Sequence, residues 1–543
     1  MDDVAEAVAA GAEALFVTQR PDGVFDHGTS GWTSTLATVG AITALHYADR
    51  DGSADVIAAG VDWLCRVQDA EGGWSTVPGW PSEPGPTAIT AASLQLLAPE
   101  RGQVIDAGLK WVEGAGGIEA LPHEQLIGLC RQFYALAGWL DERDLRRLPL
   151  ELTLFPRLFL RMLDFRAPLL AAFGLAQQRG RLLGGPARRA ALAHLRQIFE
   201  HEGRTGEFGN DPWPAGMICG ALARADVAPE IVGTSAAWLR SRANPDGSWP
   251  MMALDLTWST NAAAGLIEAG HGDDPRLATT VEMFRRRHQD RPFKAFDCPP
   301  GFWGWCGSRG WPDAWVTADV VSALAVLGPD DVMWQGVDWL TAQQDDPGSW
   351  GFCVRNSKAT NSGPCPVTTA AAVNALLAAG IPVSDPRIRR AVFWLLAEQR
   401  EDGSFDSQWY RTYTAGTAIA LELLARVISR RSRAVRRARA WLLRTQLGDG
   451  SWATGHPNPG HKPEPGTVEE TAWAVRALLA SGMGSGDEPV SRGAAWLMRA
   501  QNPDGQWPAA PVNDYIRRGA RFPNTALAGG LAIAALSRFK GAE

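Results

Sequence analysis

The chain has 543 residues, more than one ordinary hydrophobic core fills, so two domains are the expectation. Its net charge of −7, with no basic run, excludes a nucleic-acid footprint. Its seven cysteines are scattered without a CxxC pair, which fits reduced thiols and a cytoplasmic protein better than a disulfide framework.

The amino terminus (MDDVAEAVAAGAEAL) is acidic and does not read as a secretory signal, and no apolar run approaches the ~20 residues needed to span a bilayer. Along the chain a Trp recurs with a second aromatic eleven residues later, behind a Gly-containing turn. The pairs are Trp63–Trp74, Trp238–Trp249, Trp339–Trp350, Trp394–Phe405, Trp441–Trp452 and Trp496–Trp507, with a weaker copy ending at Phe25. A fixed period of this kind marks an array of like units. Each unit reads as a helix end, a Gln able to bond freed backbone groups, an Asp-Gly turn and an aromatic staple. The repeat tryptophans are therefore structural, and they account for much of the chain's total of 24.

Between the turns lie Ala/Leu-rich stretches of helical period: Thr87–Leu97, Thr317–Leu327, Thr368–Leu377, Thr414–Leu424 and Thr471–Leu479. The expected fold is all-α, a double ring of helices. The repeats are dense from Trp238 onward and sparse before it, so the boundary is expected near residue 230: residues 1–230 form one barrel and 231–543 the other, with the first helix free to pack on the second. Within the first, Leu148–Leu175 is rich in Leu and Phe with interspersed Arg. It reads either as a buried helix pair or as an apolar plateau resting on a membrane surface.

The Gln–Gly–Trp turns, the segment Gly466–Ala480 (GTVEETAWAVRALLA), the Pro/Phe/Arg-rich stretch from Phe155 to Gln177 and the closing RFPN (Arg521–Asn524) resemble the squalene–hopene cyclase and class II terpene cyclase superfamily. The resemblance covers nearly the whole chain. It implies two α/α barrels, called β and γ, with an apolar cavity between them and a polyprenyl substrate cyclised through carbocations. The family's acid motif is DxDD followed by Thr-Ala, its middle Asp protonating an alkene or epoxide. The matching stretch is Gly301–Ala318 (GFWGWCGSRGWPDAWVTA), where Asp313, Thr317 and Ala318 fit, Trp315 stands at the acid and Val316 at the last Asp. The region that carries a supporting carboxylate and His in hopene cyclases reads Cys365–Val373 (CPVTTAAAV) and is apolar here.

An indole cannot protonate an alkene, so initiation must be non-standard. Asp313, one turn from the cavity, and Asp255, amid Leu254, Leu256 and Trp258 where an apolar site would raise its pKa, are the candidate acids. The competing reading makes each a helix cap. Asp297 and Glu470 are weaker candidates. Trp315 also joins Phe302, Trp303, Trp305 and Trp311 in one aromatic-rich segment suited to stabilising cations. By resemblance Trp258, Tyr413, Trp473 and Phe522 line the same cavity; ordinary barrel core is the alternative for each.

A cation made by ionising a diphosphate would instead need Mg²⁺ or a basic clamp. The candidates are Asp141–Asp144, Asp273-Asp274, the set Arg285–Arg287 with Arg291 and Lys294, and the set Arg517, Arg518 and Arg521. No other cofactor is called for. The length favours a C15–C20 or meroterpenoid substrate over squalene. Two other functions stay open: a cyclase-fold protein that binds prenyl lipids without catalysis, and a relative of protein prenyltransferase β subunits with zinc at Asp297, Cys298 and Cys306. The oligomeric state is not legible.

Overall fold

The computed structural model describes residues 2–26, 32–177, 184–305, 309–411, 413–453 and 464–542. The chain is all-α apart from one short antiparallel ribbon, Asn513–Ile516 with Ala520–Phe522. Its helices form two rings. In the second ring six inner helices follow one another in contact: Asp255–Glu268, Ala314–Leu327, Pro366–Ala378, Tyr413–Val427, Val468–Ala480 and Thr525–Gly541, the last closing on the first. At that closure a Cβ on Gly265 would lie 2.5 Å from the Cα of Gly530, so only glycine lets these backbones meet. The outer helices are Leu277–Arg286, Asp331–Gln343, Pro386–Ala397, Arg433–Thr445, Glu488–Ala500 and, completing the circle, the amino-terminal Asp2–Val17.

The repeat explains the architecture. In five of the six Trp units the second aromatic turns its indole N–H back onto the carbonyl that follows the first Trp: Trp74 to Leu64, Trp249 to Leu239, Trp350 to Leu340, Trp452 to Leu442 and Trp507 to Leu497, at 2.7–2.8 Å. Its backbone N–H binds a threonine hydroxyl in an inner helix, as Trp350 does to Thr369, Phe405 to Thr417 and Trp452 to Thr471. The Gln does more than cap its own helix. Gln344, Gln399 and Gln446 each donate to the turn glycine carbonyl and to a first-turn carbonyl of the next outer helix. Gln501 repeats this onto Ala7, which ties the amino-terminal helix into the second ring. Each unit thus fastens an outer helix to an inner one and to its outer neighbour.

The first ring has inner helices Thr35–Ala48, Pro84–Leu97, Glu124–Leu136, Ala167–Gln177 and Pro212–Ala225, with Ala54–Arg66, Gly102–Gly114, Gly185–His201 and Pro229–Ser241 outside them. Helix Pro229–Ser241 packs on Pro212–Ala225 and Thr35–Ala48. By these contacts the division falls between it and Asp255–Glu268, beyond the 230/231 boundary expected from repeat density. The Leu148–Leu175 stretch divides between its two readings. Ala167–Gln177 is an inner helix that buries Ala171, Ala172 and Leu175, whereas Pro156–Leu163 buries Phe159 and Leu160 and leaves Leu154, Phe155, Leu158 and Met162 exposed. Among the described residues no helix is long and apolar enough to cross a membrane.

The rings meet along a seam. The 513–522 ribbon reaches from the second ring to helix starts of the first: Tyr515 donates its hydroxyl to Asp211 at 2.6 Å, and the Arg517 carbonyl lies 2.8 Å from His123 Nε2. Asp211 and His123 also cap their own helices.

Candidate active site

Asp313 opens the Ala314–Leu327 helix. Its Oδ1 accepts the N–H groups of Trp315 (2.8 Å) and Val316 (3.1 Å), which satisfies two of the helix's unpaired donors. The residue is only 2% exposed, and burial pushes its carboxyl up to about 8, against an ordinary 3.8. The two capping bonds pull the other way, and the nearby carboxyls of Asp319 and Asp164 add to the rise. Capping and acid chemistry are compatible here: with Oδ1 accepting both bonds, the proton resides on Oδ2.

Asp319 lies on the same helix, one turn beyond Trp315; burial pushes it up to about 7, with the Trp315 indole pulling the other way. Asp164 comes from the first ring and is fully buried, with burial again pushing its carboxyl up to about 7. Its backbone, at φ 56° and ψ −140°, occupies a region that L-residues seldom enter, and Oδ1 accepts its neighbour's Phe165 N–H at 2.8 Å. Strain of this kind persists only where surrounding structure holds it, and it clusters at functional sites.

That turn projects Phe165 across the seam. Its ring meets Trp305 (centroids 5.7 Å), Phe352 (5.4 Å) and Trp409 (5.9 Å), while Phe352 and Trp409 are 4.7 Å apart and Trp305 and Trp311 6.1 Å. A second aromatic row runs Trp315–Tyr410–Trp473, at 5.1 and 4.5 Å. The Ala314 N–H, beside Asp313, binds the Phe352 carbonyl at 2.9 Å and so stitches the carboxyl to the first group. Phe165, Trp305, Trp315 and Trp409 all keep part of their surface open. Indole and phenyl faces stabilise cations by ~0.5–2 kcal/mol each, so protonated carboxyls between two aromatic groups suit carbocation chemistry.

The expected site residues divide. Asp313, Trp315, Trp305, Trp311 and Trp473 belong to this constellation. Phe302 and Trp303 do not. Trp303 is fully buried, its indole bonded to the Phe284 carbonyl and its backbone N–H to Thr317, which makes it another staple of the repeat, and Phe302 packs on Trp339 of an outer helix. Asp255 is corrected too. It sits in an ion pair with Arg287 at 2.9 Å, with Arg20 at 4.0 Å, so the apolar surroundings that argued for an acid are absent. Tyr413 lies under the guanidinium of Arg400 at 4.4 Å, and Tyr410, three residues earlier, takes the expected place beside Trp315. Trp258 is buried on the first turn of its helix, and Phe522 is buried in the ribbon, its carbonyl bonded by Asn513. Of the weaker acids, Glu470 pairs with Arg411 at 2.8 Å and Asp297 with Arg157 at 3.4 Å.

Sequence reading missed Asp164, Asp319, Phe165, Phe352, Trp409 and Tyr410. The i, i+4 spacing of Trp315 and Asp319 was the available signal, as was the Trp409-Tyr410 pair ahead of Tyr413. Another missed carboxyl is Glu202 of the first ring, pushed up to about 8 by burial, which accepts the Trp311 indole N–H and the Gly209 N–H, both at 2.7 Å.

Most of the expected basic clamps are spent on carboxylates. Arg285 pairs with Glu282 and Asp330, Arg287 with Asp255, Arg517 and Arg518 with Asp406, and Arg521 with Glu464. In the acidic candidates, Asp274 is held well below the carboxylate range by Arg276, and Glu142 pairs with Arg224. At the zinc candidate, Cys298 Sγ accepts from the Trp339 indole, Cys306 lies outside the described residues, and among the described residues no three His, Cys, Asp or Glu side chains cluster as metal ligands.

The profile of the squalene–hopene cyclase C-terminal domain matches residues 297–412 and 362–525, and that of the prenyltransferase alpha-alpha toroid domain matches residues 6–115. The chain belongs to the squalene–hopene cyclase and class II terpene cyclase superfamily. The squalene–hopene cyclase of Alicyclobacillus acidocaldarius is 30% identical over 358 residues, which cover 59% of this chain and 57% of that one. That of Zymomonas mobilis is 26% identical over 305 residues, covering 50% and 45%. The chain therefore spans about half the length of the curated relatives it matches. In three dimensions it is similar to ent-copalyl diphosphate synthase from Streptomyces platensis, with a TM-score of 0.54 and 19% identity, covering 99% of this chain and 100% of that one.

Proposed function

We propose that the protein cyclises a polyprenyl substrate through carbocations, with Asp313 as the proton donor. The observation that carries this is the buried Asp313 carboxyl, neutral at pH 7, capped on one oxygen and flanked by two aromatic groups. The Oδ2 proton passes to one alkene carbon, whose π pair forms the new C–H bond, and the cation left on the other carbon draws in the next double bond. Trp315, where the family's acid would stand, becomes a cation-facing wall packed on Tyr410.

The test is a product screen by mass spectrometry. Protein and its Asp313→Asn variant are incubated with farnesyl, geranylgeranyl and farnesylgeranyl diphosphates and with squalene, with and without Mg²⁺. A cyclised product that retains its diphosphate, or cyclised squalene, made by the protein and not by the variant, is the expected result. Product with diphosphate lost, only with Mg²⁺, means ionisation instead. An active Asp313→Asn enzyme overturns the assignment.

A second reading is a binding protein for prenyl lipids without turnover, favoured by Trp315 at the acid position. A Trp315→Asp, Val316→Asp variant tests it: a gain of cyclisation where the natural chain has none supports it. In either case we assign the exposed Leu154, Phe155, Leu158 and Met162, beside the exposed Arg157 and Arg161, to contact with a membrane surface from the cytoplasmic side. Vesicle sedimentation that is unchanged by Phe155→Ser, Leu158→Ser would remove that assignment.

A further inference from the structure

The first ring holds a further copy of the repeat turn, and this copy departs from the others at one residue. Phe208 follows Glu202 at the six-residue spacing that separates Gln from the second aromatic in Gln68–Trp74, Gln344–Trp350, Gln446–Trp452 and Gln501–Trp507. The turn glycine again stands four residues on: Gly206 has φ 75°, and Gly72, Gly348, Gly450 and Gly505 have φ of 84–107°. It again abuts the next outer helix, Pro229–Ser241, since a Cβ on Gly206 would lie 2.7 Å from the Ser235 backbone nitrogen. In the other units the Gln amide donates to the carbonyl of the turn glycine. A carboxylate in its place has no N–H for that bond.

Glu202 faces the other ring instead. It is buried, and its Oε1 accepts the Gly209 N–H and the indole N–H of Trp311, both at 2.7 Å. The same corner reaches Trp311 by a second route. The ring of His201 stacks on Phe293 with centroids 3.7 Å apart, Phe293 meets Phe296 at 5.0 Å, and Phe296 meets Trp311 at 5.2 Å. A Cβ on Gly209 would lie 3.6 Å from the Trp311 ring and 3.9 Å from that of Trp305, so this loop bears on both indoles. Trp305 in turn donates its backbone N–H to the Trp311 carbonyl at 3.2 Å and sets its ring against Phe165 at 5.7 Å and Phe352 at 5.8 Å. A repeat unit has given up its own staple to hold an aromatic of the seam, and departures from a local rule of this kind gather at functional sites.

We infer that Glu202 is a positioning residue for the cyclisation: by holding the Trp311 indole it fixes where the Trp305 face stands against the folded prenyl chain, and so which products form. This rests on the reading of the seam as the cyclising site. Glu202 acts through Trp311 rather than on the substrate. The stabilisation that an aromatic face gives a cation depends on the distance and tilt between them, so a displaced Trp305 favours positive charge at a different carbon of the chain.

The experiment measures the ratio of cyclised products that the full chain makes from geranylgeranyl diphosphate and from squalene. It compares the natural protein, Glu202→Gln, Glu202→Leu, Trp311→Phe and the double variant Glu202→Leu, Trp311→Phe, each checked by near-ultraviolet circular dichroism and each titrated with geranylgeraniol. Glu202→Leu removes both bonds and should shift the ratio by about 3–10-fold, the range of one lost buried hydrogen bond. Glu202→Gln, whose amide oxygen accepts the same two N–H groups, should stay within about 2-fold of the natural ratio. Trp311→Phe has no indole N–H to hold, so adding Glu202→Leu to it should shift the ratio no further. An unchanged ratio in Glu202→Leu, a Gln variant as altered as the Leu variant, or fully additive shifts in the double variant overturn the inference. Should Glu202→Leu fail to fold, a natural ratio in Trp311→Phe overturns it. Geranylgeraniol separates this claim from the catalytic one. Binding by the natural protein with no cyclised product sinks the catalytic reading alone, and Glu202 is then judged by affinity, which Glu202→Leu should weaken by a similar factor and which overturns the inference if unchanged. Cyclised products whose ratio ignores Glu202 sink this inference alone, and neither product nor binding sinks both.

Discussion

Two sets of tryptophan in this chain, the second Trp of each repeat pair and those of the seam, differ in where the indole N–H goes. The second tryptophans of the repeat pairs, such as Trp350 and Trp452, are fully buried and send that hydrogen to a backbone carbonyl ten residues earlier in the same unit. The seam tryptophans Trp305, Trp315 and Trp409 stay partly open, and the indole hydrogens of Trp305 and Trp409 find no described partner. The first arrangement fixes one conformation of a local unit, so it repeats. The second gives aromatic faces to a space between elements distant in sequence, so it does not. Stability should therefore reside in one set and chemistry in the other.

Changes at the acid should break that division on its chemical side. Asp313→Asn keeps an oxygen to accept the capping bonds of Trp315 and Val316 but has no proton to give. Turnover should fall by about 10²–10⁴-fold while the fold persists, read as product formed per enzyme beside near-ultraviolet circular dichroism. In the natural protein turnover should drop as pH rises through about 8, where Asp313 loses its proton. The same carboxyl shapes stability. Its folded value lies above its ordinary 3.8, so its contribution is complete below about 4 and is lost as pH climbs through about 8. The melting temperature of Asp313→Asn relative to the natural protein should therefore improve between those limits. A difference that is flat with pH would show that Asp313 titrates normally.

Trp452→Ala tests the structural side. The side chain is fully buried, and its ring fits so closely against the next outer helix that a Cβ on Gly493 would lie 2.9 Å from it. Removing it leaves a cavity and takes one of the two side-chain donors from the Leu442 carbonyl, for a loss of about 3–5 kcal/mol in chemical denaturation. Gln446→Ala in the same unit removes two carbonyl partners, Gly450 and Pro489, and should cost about 1–2 kcal/mol. If Gln446→Ala costs nothing, the link between neighbouring outer helices is held by packing alone.

The same contrast explains what could be read in advance. The repeat is local: Trp, Gln, Gly and the second Trp occupy one window of twelve residues, so periodicity alone gave the rings and their inner helices. The seam is not local. Asp164 and Phe165 lie about 150 residues from Asp313, and nothing in their own neighbourhood marks them. Family likeness pointed to Asp313 and Trp315, because a motif is a local pattern as well, with Trp303 beside them, which the repeat claims through Thr317. It favoured Asp255 on the apolar character of its neighbours in sequence, whereas the deciding neighbour is Arg287, which arrives from the next helix. Tyr413 was named by resemblance alone, and only the folded chain shows that it is Tyr410 whose ring faces Trp315.

The gentlest change sharpens the comparison most. Trp315→Phe keeps an aromatic face toward Tyr410 and shortens the wall. Because the side chain is half-buried and belongs to no repeat, stability should move by less than about 1 kcal/mol. Phenyl is the weaker cation partner, and a deficit within the ~0.5–2 kcal/mol range of such contacts corresponds to roughly a 2- to 30-fold loss of turnover or an altered product ratio. Denaturation curves and product ratios measured on one preparation decide it. A loss of several kcal/mol without a change in products would place Trp315 among the repeat tryptophans and erase the distinction between the two sets.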